Sequence, residues 1–495
     1  MYKNDSKLCR YDIKRNAKKV FSILRYSFFA VGVGSFVAFA LSENINCMLI
    51  SILLIFLSNL CFSLSSFSGR ITYTLFLCSF FCFLLGRMTM DLFTMGSARF
   101  YFSDSISKHI LISIALSLIF LQFGFELFER IHVKNVKIIN RQKETVGYCN
   151  RLQLYALLLF YISAVFAIII NIEQIIFLEN NSYVELFTDF SSRIPRIFHI
   201  IANMYIAAFL MFLGTSPQKK KCILPCVLFL IIAVVILISG DRGGFMINTG
   251  IVVVYFFWRQ YTDKEIWISN KIIIIVIICT PLILAGLSFF VYLREGVDVG
   301  EKNIVSQFIR FFKSTGNTVD LLGYGKQYEQ RFPQSFYSFG ELIDYVKFNP
   351  ISEKLFAVTE PVAYTEEYAM TMHSYAHTIS YFIFPDQYLL GHGKGSSYIA
   401  EVYLDFGYLG IIICNFIYGI FLAGIYKLRQ AKPLIIAIAF IALRILFYVP
   451  RGPMISPVSY VLNLTTIAVI VFLHSAAKYQ PAIMNMIKTN LRKRK

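Results

Sequence analysis

The sequence contains few charged residues, few prolines and few glycines. Of its 495 residues only 15% are charged and 57% are hydrophobic, and 13 prolines and 27 glycines stand beside 49 phenylalanines. This composition excludes disordered and collagen-like chains, and the lack of a repeat of roughly 20–50 residues excludes solenoids. A mean hydropathy of +0.62 exceeds what a single soluble core requires. We therefore predict an all-α polytopic membrane protein.

Long apolar runs follow one another along the chain. A helix needs roughly 17–25 mostly apolar residues to cross the hydrocarbon core, and about twelve runs approach that length. The runs are approximately 21–41, 46–67, 71–88, 108–128, 152–172, 196–213, 222–239, 245–258, 271–293, 404–426, 433–449 and 456–474. We therefore predict about 12 transmembrane helices. They divide the chain into a membrane region of about nine helices at 1–293, a loop subdomain at 294–403, a membrane region of about three helices at 404–474 and a basic tail at 475–495.

Basic residues are concentrated in the loops on one predicted side of the membrane. The basic clusters lie at 1–20, 130–151, 219–221, 259–271, 427–432 and 488–495. The loop at 173–195 on the other side is mostly acidic. Because loops rich in Lys and Arg stay on the cytoplasmic side, we predict that both termini are cytoplasmic and that 294–403 is external. The net charge of +18 then reflects topology and contact with anionic membrane lipid, and we expect no nucleic-acid partner.

The loop subdomain at 294–403 has no cysteine and many aromatic residues. A disulfide framework is therefore not expected there. Apolar residues recur at helical spacing from Ile304 to Phe312 while Gln307 falls on the other face, which predicts an amphipathic helix lying on the membrane. A second short helix is predicted at 338–348, before Asn349 and a proline.

Four arginines lie in predicted spans or near the outer face, where a cation without a partner is disfavoured. They are Arg242, Arg294, Arg444 and Arg451. Such residues usually have an anionic partner, and the arginine fork matches phosphate geometry. Arg242 precedes an apolar run, 245–258, that is too short to span the membrane by itself, so we predict that its turn dips below the surface. In the alternative interpretation Asp241 and Arg242 only neutralise each other.

A glycine-rich stretch at 391–410 leads into the tenth predicted span. Lys394 and the serines at 396 and 397 precede the helix, where free backbone N–H groups attract an anion. Farther along, Glu401, Asp405 and Tyr408 share one face of a regular helix. This spacing predicts a polar stripe facing a cavity.

His373 and His377 are four residues apart in the loop subdomain, as metal-binding pairs on helices often are. No HExxH motif or supporting carboxylate cluster accompanies them, so we predict no metal. A neutral histidine outside the membrane is able to take a proton from a sugar hydroxyl, and His392 offers the same chemistry. A histidine that is only hydrogen-bonded within the loop is the third alternative, and the residues alone do not choose among the three.

Two stretches carry a resemblance to a known family. Ser239-Gly-Asp-Arg-Gly-Gly-Phe245 follows a span, and Gly-Lys-Gly-Ser-Ser-Tyr-Ile-Ala-Glu at 393–401, continuing to Gly410, closes the long loop. Together with the span plan they resemble the Wzy-type O-antigen polysaccharide polymerases. The resemblance implies a GT-C-like glycosyltransferase of the bacterial inner membrane that uses undecaprenyl-diphosphate-linked glycans and no cofactor. It also implies that the growing chain moves from its lipid diphosphate onto the non-reducing sugar of a fresh repeat unit.

This chemistry assigns roles to the residues singled out above. Arginines at the outer face, with Lys394, would bind the diphosphate and stabilise the charge of the leaving group without a metal. The acceptor hydroxyl needs a base, for which the candidates are His373, His377, His392 and Glu401. The family also implies a chain-length-regulating co-polymerase as a partner. An O-antigen ligase and a flippase for lipid-linked oligosaccharide remain alternatives, although the unequal halves count against a transporter.

Overall fold

The computed structural model describes residues 2–132, 143–181, 185–263, 265–295 and 303–493, and every regular element in these ranges is a helix. The helices before residue 300 are α1 (Tyr2–Ser42), α2 (Ile45–Leu64), α3 (Ile71–Phe80), α4 (Gly86–Met95), α5 (Asp104–His132), α6 (Lys143–Leu178), α7 (Glu185–Thr188), α8 (Arg196–Asn203), α9 (Tyr205–Gly214), α10 (Lys219–Ile238), α11 (Arg242–Asp263) and α12 (Asn270–Glu295). The helices after residue 300 are α13 (Ile304–Thr315), α14 (Asp320–Gln327), α15 (Gly340–Lys347), α16 (Pro350–Phe356), α17 (Glu366–Thr371), α18 (Tyr375–Ile383), α19 (Pro385–Leu389), α20 (Tyr398–Gly424), α21 (Pro433–Leu446), α22 (Ser456–Leu462) and α23 (Leu464–Lys493).

Many of these helices are long and apolar enough to cross a membrane. Within the described ranges nine pass by length and hydropathy, and α22 with α23, bent by 53°, make a tenth. Helix α21 is apolar but shorter. The predicted class, an all-helical multi-pass membrane protein, is confirmed. The count of about twelve spans stays a prediction.

Helix α11 differs from the prediction for its span. It covers 22 residues and begins at Arg242, so the helix is longer than the apolar run, although it is not among the helices that are apolar enough to count as candidate spans in the described ranges. Polar residues at both ends continue the helix beyond the apolar run at 245–258. Asp241 caps its start, because the Gly244 N–H donates to Asp241 Oδ1 at 2.8 Å. The Asp241 carboxylate therefore caps the N-terminus of α11. The sequence analysis did not predict this role.

The chain forms two compact units, each assembled from segments far apart in sequence. Unit 1 consists of Met1–Lys134, Val254–Tyr426 and Phe447–Ile455. Unit 2 consists of Asn135–Val253, Lys427–Leu446 and Ser456–Lys495. The predicted regions with boundaries at 293, 403 and 474 concern membrane topology, and they stay a prediction.

Unit 1 contains the closely packed pair α5 and α20. A Cβ atom on Gly124 would come within 2.1 Å of the Phe416 carbonyl oxygen, and one on Gly419 within 2.2 Å of the Leu121 oxygen. Only glycine permits so close an approach of two helix backbones. This packing fixes the position of α20, whose first turns carry Glu401.

Unit 2 packs α9 against α6 and α21. A Cβ atom on Gly214 would lie 2.6 Å from the Pro433 carbonyl oxygen, so glycine again permits the contact. The rings of Phe209 and Phe229 stack with centroids 4.1 Å apart in the same core. Arg444, on α21, is buried beside these helices.

The segment from 303 to 397 folds into short helices. Helices form at both predicted places, as α13 and as α15, which follows a 3₁₀ turn at Tyr337–Phe339, while the location of α13 on the membrane stays a prediction. The predicted polar face of α13 is wrong at Gln307, which is buried, while Ile304 is exposed. The reason is that α13 packs against α12, where the Ser288 hydroxyl donates to Gln307 Oε1 at 3.3 Å.

Candidate active site

A cavity of about 330 Å³ in unit 1 lies between α15, α17, α18 and the first turn of α20. Its walls combine carboxylates, tyrosines and two histidines. The lining residues are Tyr337, Glu341, Asp344, Tyr345, Phe348, Glu360, Tyr368, Met372, His373, Ser374, Tyr375, His377, Glu401 and Pro453. Three of the four predicted candidates for the base, His373, His377 and Glu401, therefore lie together. Aromatic faces beside carboxylates suit the apolar and hydroxyl faces of a sugar.

His373 is held by Asp344 at two points. Its ring Nδ1 lies 2.8 Å from Asp344 Oδ1, and its backbone N–H donates to Oδ2 at 2.9 Å. Because an ionised carboxylate only accepts, this geometry assigns the proton to Nδ1 and leaves Nε2 with its lone pair. A Cβ atom on Gly340 would lie 1.8 Å from the His373 carbonyl oxygen. Glycine at this position thus lets α15 bring Asp344 to His373.

The Asp344 carboxyl group lies outside the spans and is largely buried. Burial raises its pKa above the ordinary value, and the hydrogen bonds that it accepts from His373 act in the opposite direction. Each side chain of the pair exposes 15% or less of its surface. The pair is therefore held in a poorly hydrated place, where a hydrogen bond between such groups is strengthened.

His377 lies in an aromatic environment on α18. Its Nδ1 is 3.1 Å from the buried Tyr388 hydroxyl, and its ring contacts Tyr368 at a centroid distance of 4.6 Å. Burial lowers the pKa of His377. Its imidazole therefore stays neutral at a pH at which a solvated histidine begins to take a proton. Burial likewise raises the pKa of Tyr368 to about 12, which keeps the phenol protonated.

His373 and His377 do not form the helical pair that their spacing suggested. His373 precedes α18, which begins at Tyr375, and it binds Asp344, whereas His377 binds Tyr388. In the described part of the chain, no three His, Cys, Asp or Glu side chains are arranged to hold a metal ion.

Glu401 is almost completely buried at the start of α20. The Ser396 hydroxyl donates to its Oε1, and the Met454 N–H donates to its Oε2 at 2.8 Å. Met454 follows Pro453, which lines the cavity. Glu401 therefore joins the start of α20 to the stretch at 452–455 and forms part of the cavity wall.

The predicted polar stripe of Glu401, Asp405 and Tyr408 does not form. Gly407 has φ 62° and ψ −154°, which breaks the helix between Asp405 and Tyr408. Asp405 instead accepts the backbone N–H groups of the 3₁₀ turn before α15, including that of Ser338 at 2.7 Å. Tyr408 binds His109 Nδ1 through its hydroxyl at 2.9 Å.

Arg451 precedes the stretch at 452–455 that binds Glu401, but it is not among the residues that line the cavity. It is half-buried, it lies two residues before Pro453, and its Nη1 donates to Thr318 Oγ1 at 3.1 Å. Two residues beyond Thr318, Asp320 forms an ion pair with buried Arg87, with Nη2 and Oδ1 2.5 Å apart. Sequence reasoning missed Arg87. It lies at the end of the apolar run 71–88, where a cation without a partner is as disfavoured as at the four arginines that the sequence analysis singled out.

The remaining predicted anion ligands lie elsewhere. Arg242 and Arg444 belong to unit 2, where Arg444 Nε donates to Asn248 Oδ1 at 2.7 Å. The side chain of Arg294 lies outside the described residues. Lys394 is exposed, and its Nζ lies 5.2 Å from the centre of the Phe384 ring. His392, the fourth candidate for the base, is also exposed and is not among the residues that line the cavity.

Comparison with known families gives one match. The sequence model of the family described as O-antigen polysaccharide polymerase Wzy matches residues 23–480, nearly the whole chain. No curated protein and no solved structure matches the chain.

Proposed function

Because the chain belongs to the O-antigen polysaccharide polymerase Wzy family, we propose that the cavity at His373 is the active site of this polymerase. The protein is a multi-pass membrane enzyme of the glycosyltransferase type, and the family acts on lipid-linked oligosaccharide repeat units. The observation that carries the assignment is the His373–Asp344 pair in the wall of a cavity rich in tyrosines and carboxylates.

In the proposed reaction the growing glycan leaves an undecaprenyl diphosphate and joins a fresh lipid-linked repeat unit. A hydroxyl of the non-reducing sugar of the acceptor attacks the anomeric carbon of the donor. The carbon–oxygen bond to the diphosphate breaks, and the leaving diphosphate keeps the electron pair. The acceptor proton passes to Nε2 of His373, so atoms and charge balance without an added reactant.

His373 is the proposed base because its tautomer is fixed. Asp344 holds the proton on Nδ1 and turns the opposite nitrogen away from itself, which is how a carboxylate orients a catalytic imidazole. His377 lines the same cavity, but its Nδ1 faces the Tyr388 hydroxyl and not a carboxylate. Glu401 uses both carboxylate oxygens to hold Ser396 and Met454, so we assign it to the wall.

The leaving diphosphate needs positive charge. Arg451 is the nearest candidate along the chain, since it lies two residues from Pro453 in the cavity wall. Arg242, Arg294, Arg444 and Lys394 remain further candidates for diphosphate binding. We propose that arginine, and no divalent metal, neutralises the developing charge.

The membrane arrangement follows from the distribution of charges. We place the protein in the bacterial inner membrane with both termini cytoplasmic and with the segment 294–403 on the periplasmic side. About twelve spans, a GT-C-like architecture and a co-polymerase that regulates chain length belong to the same proposal.

Purified protein reconstituted with lipid-linked repeat units tests the reaction. We expect a ladder of polymers that forms in excess EDTA. Polymer that forms only after Mg²⁺ or Mn²⁺ is restored would contradict the metal-free mechanism. Transfer to lipid A core sugar with no polymer would indicate a ligase, and translocation of the lipid without transfer would indicate a flippase.

A further inference from the structure

A second concave surface, an apolar groove of about 410 Å³, runs along α20. Its walls include Val402 and Phe406, which precede the break at Gly407, and Leu409, Ile413 and Ile417, which follow it. Gly410 also lines the groove, and a Cβ atom on it would lie 2.7 Å from Val402 Cγ1, so glycine lets the two parts of α20 approach each other.

The groove lies on a helix that is long and apolar enough to span the membrane. Leu409, Ile413 and Ile417 are exposed on its surface, where in a bilayer they meet hydrocarbon and not water. From Leu409 to Ile417, after the break, the apolar wall extends about 12 Å along the helix axis at helical rise. The first isoprene units of a single hydrocarbon chain therefore fit its length and chemistry.

The groove and the active-site cavity share a wall. Met454 lines the groove, and its N–H donates to Oε2 of Glu401, which lines the cavity. Val402 of the groove is adjacent to Glu401, and Pro453 of the cavity is adjacent to Met454. A molecule with its sugar in the cavity thus has an apolar surface beside it for a lipid tail.

We propose that this groove binds the isoprenoid chain of the donor, the lipid diphosphate that carries the growing glycan. The inference rests on the proposed function of the cavity. In the donor only the diphosphate separates the reacting anomeric carbon from the first isoprene. In the acceptor a whole oligosaccharide repeat unit separates the reacting hydroxyl from the lipid. The groove next to the reaction cavity therefore matches the donor.

A positively charged residue, Arg451, lies close in sequence to residues of both walls. Arg451 is three residues from Met454 and two from Pro453, so a guanidinium group is carried by the stretch that contributes to both surfaces. A polyprenyl diphosphate presents an apolar chain, then two phosphates, then sugar. The groove suits the apolar chain and the cavity suits the sugar, and Arg451, on the stretch of chain that contributes to both walls, is our candidate for binding the phosphates.

The test separates the donor lipid from the acceptor lipid. The acceptor is a soluble repeat unit whose reducing end is blocked as a methyl glycoside, so that only the donor carries an isoprenoid. Donors with an undecaprenyl chain and with a two-isoprene chain are compared. Ile413→Trp fills the groove, and Ile278→Trp on exposed α12 is the matched control for a new indole facing lipid.

For the wild type we expect a KM for the undecaprenyl donor at least about tenfold below that for the short donor. Ile413→Trp should raise the KM of the undecaprenyl donor about tenfold, with little change in kcat and little effect on the short donor. Ile278→Trp should behave as the wild type. Equal effects of Ile413→Trp on both donors, or a wild type that does not distinguish the donors, would overturn the proposal.

Photocrosslinking gives a second measurement that does not depend on turnover or on any variant. A polyprenyl diphosphate with a diazirine on its first isoprene should label 402–417, and unlabelled undecaprenyl diphosphate should compete while phospholipid should not. Equal competition by phospholipid would show that only acyl chains of the bilayer occupy the groove. If the wild type transfers from neither donor, the proposed function fails, and the crosslinking pattern still decides the occupant.

Discussion

At the scale of single residues, Asp344 determines which nitrogen of His373 is available for chemistry. Sequence reasoning selected His373, His377, His392 and Glu401 because of their residue types and their place near the end of the long loop. It did not select Asp344, which is 29 residues from His373. Their pairing depends on the close approach of α15 at Gly340, and one sequence does not reveal such a tertiary contact.

Arg451 gives the first prediction at this scale. Arg451→Ala should lower the rate of polymerisation roughly thirty- to a thousand-fold, because it removes about 2–4 kcal/mol of stabilisation of the leaving diphosphate. Arg451→Lys should recover only part of the rate, since lysine lacks the fork. Initial rates with purified variants provide the measurement. A normal rate for Arg451→Ala at normal protein levels would remove Arg451 from the mechanism.

His377 gives a prediction about pH and stability. Burial lowers its pKa in the folded protein below the ordinary value of about 6.5. At pH values between the lowered pKa and about 6.5, the unfolded chain therefore binds more protons than the folded protein. The free energy of unfolding should therefore decrease as the pH falls below about 6.5.

Thermal unfolding in detergent at several pH values measures this effect. His377→Phe keeps an aromatic ring but does not titrate, so its unfolding temperature should fall less than that of the wild type on acidification. Parallel pH curves for the two proteins would contradict the assignment of this acid sensitivity to His377.

At the scale of the elements, hydropathy located the helices better than it located their irregularities. The apolar run at 245–258 is shorter than α11, because the helix already begins at Arg242 and includes the glycines after it, with Asp241 as its N-cap. Conversely, the run at 404–426 gave no sign that α20 is broken at Gly407. A glycine within an apolar run is compatible with a helix or a break, and only the packing decides.

Gly407 allows a direct test of that break. Its backbone, at φ 62° and ψ −154°, is in a region that is almost restricted to glycine. A Cβ atom added to this residue would meet nothing within 4 Å, so the cost of Gly407→Ala comes from the backbone alone. We expect a loss of about 1–3 kcal/mol in the free energy of unfolding.

Gly34→Ala is the matched control for this substitution. Gly34 also has open space around its Cβ position, but it lies in regular helix α1. Alanine there should be neutral or stabilise by up to about 1 kcal/mol. Equal thermal stability of Gly407→Ala and Gly34→Ala would show that the break at Gly407 does not exist in the folded protein.

At the scale of the whole molecule, composition was enough to predict a helical multi-pass membrane protein. The two compact units were not predictable, because each combines segments separated by more than a hundred residues. Hydrophobic periodicity indicates which face of a helix is apolar but does not identify its neighbour. Positive charges, in contrast, predict orientation without any tertiary information.

Orientation is the prediction that belongs to this scale. On a cysteine-free background, Ser335→Cys should react in whole cells with a reagent that cannot cross the inner membrane, and Ser6→Cys should be protected. Ser335 is exposed in the structure, so protection there would not be explained by burial. Protection of Ser335→Cys together with labelling of Ser6→Cys would reverse the orientation and contradict a periplasmic active site.

The central claim is that His373, oriented by Asp344, takes the proton of the acceptor hydroxyl. The decisive measurement is the rate at which reconstituted protein polymerises lipid-linked repeat units, compared among His373→Gln, Asp344→Asn and His392→Gln. We predict that His373→Gln lowers kcat about 10²–10⁴-fold with little change in KM. Asp344→Asn should lose about 10²-fold or more, Asp344→Glu should recover part of the rate, and exposed His392→Gln should stay within about twofold of the wild type. A wild-type rate for His373→Gln, or an equal loss in His392→Gln, would contradict the account.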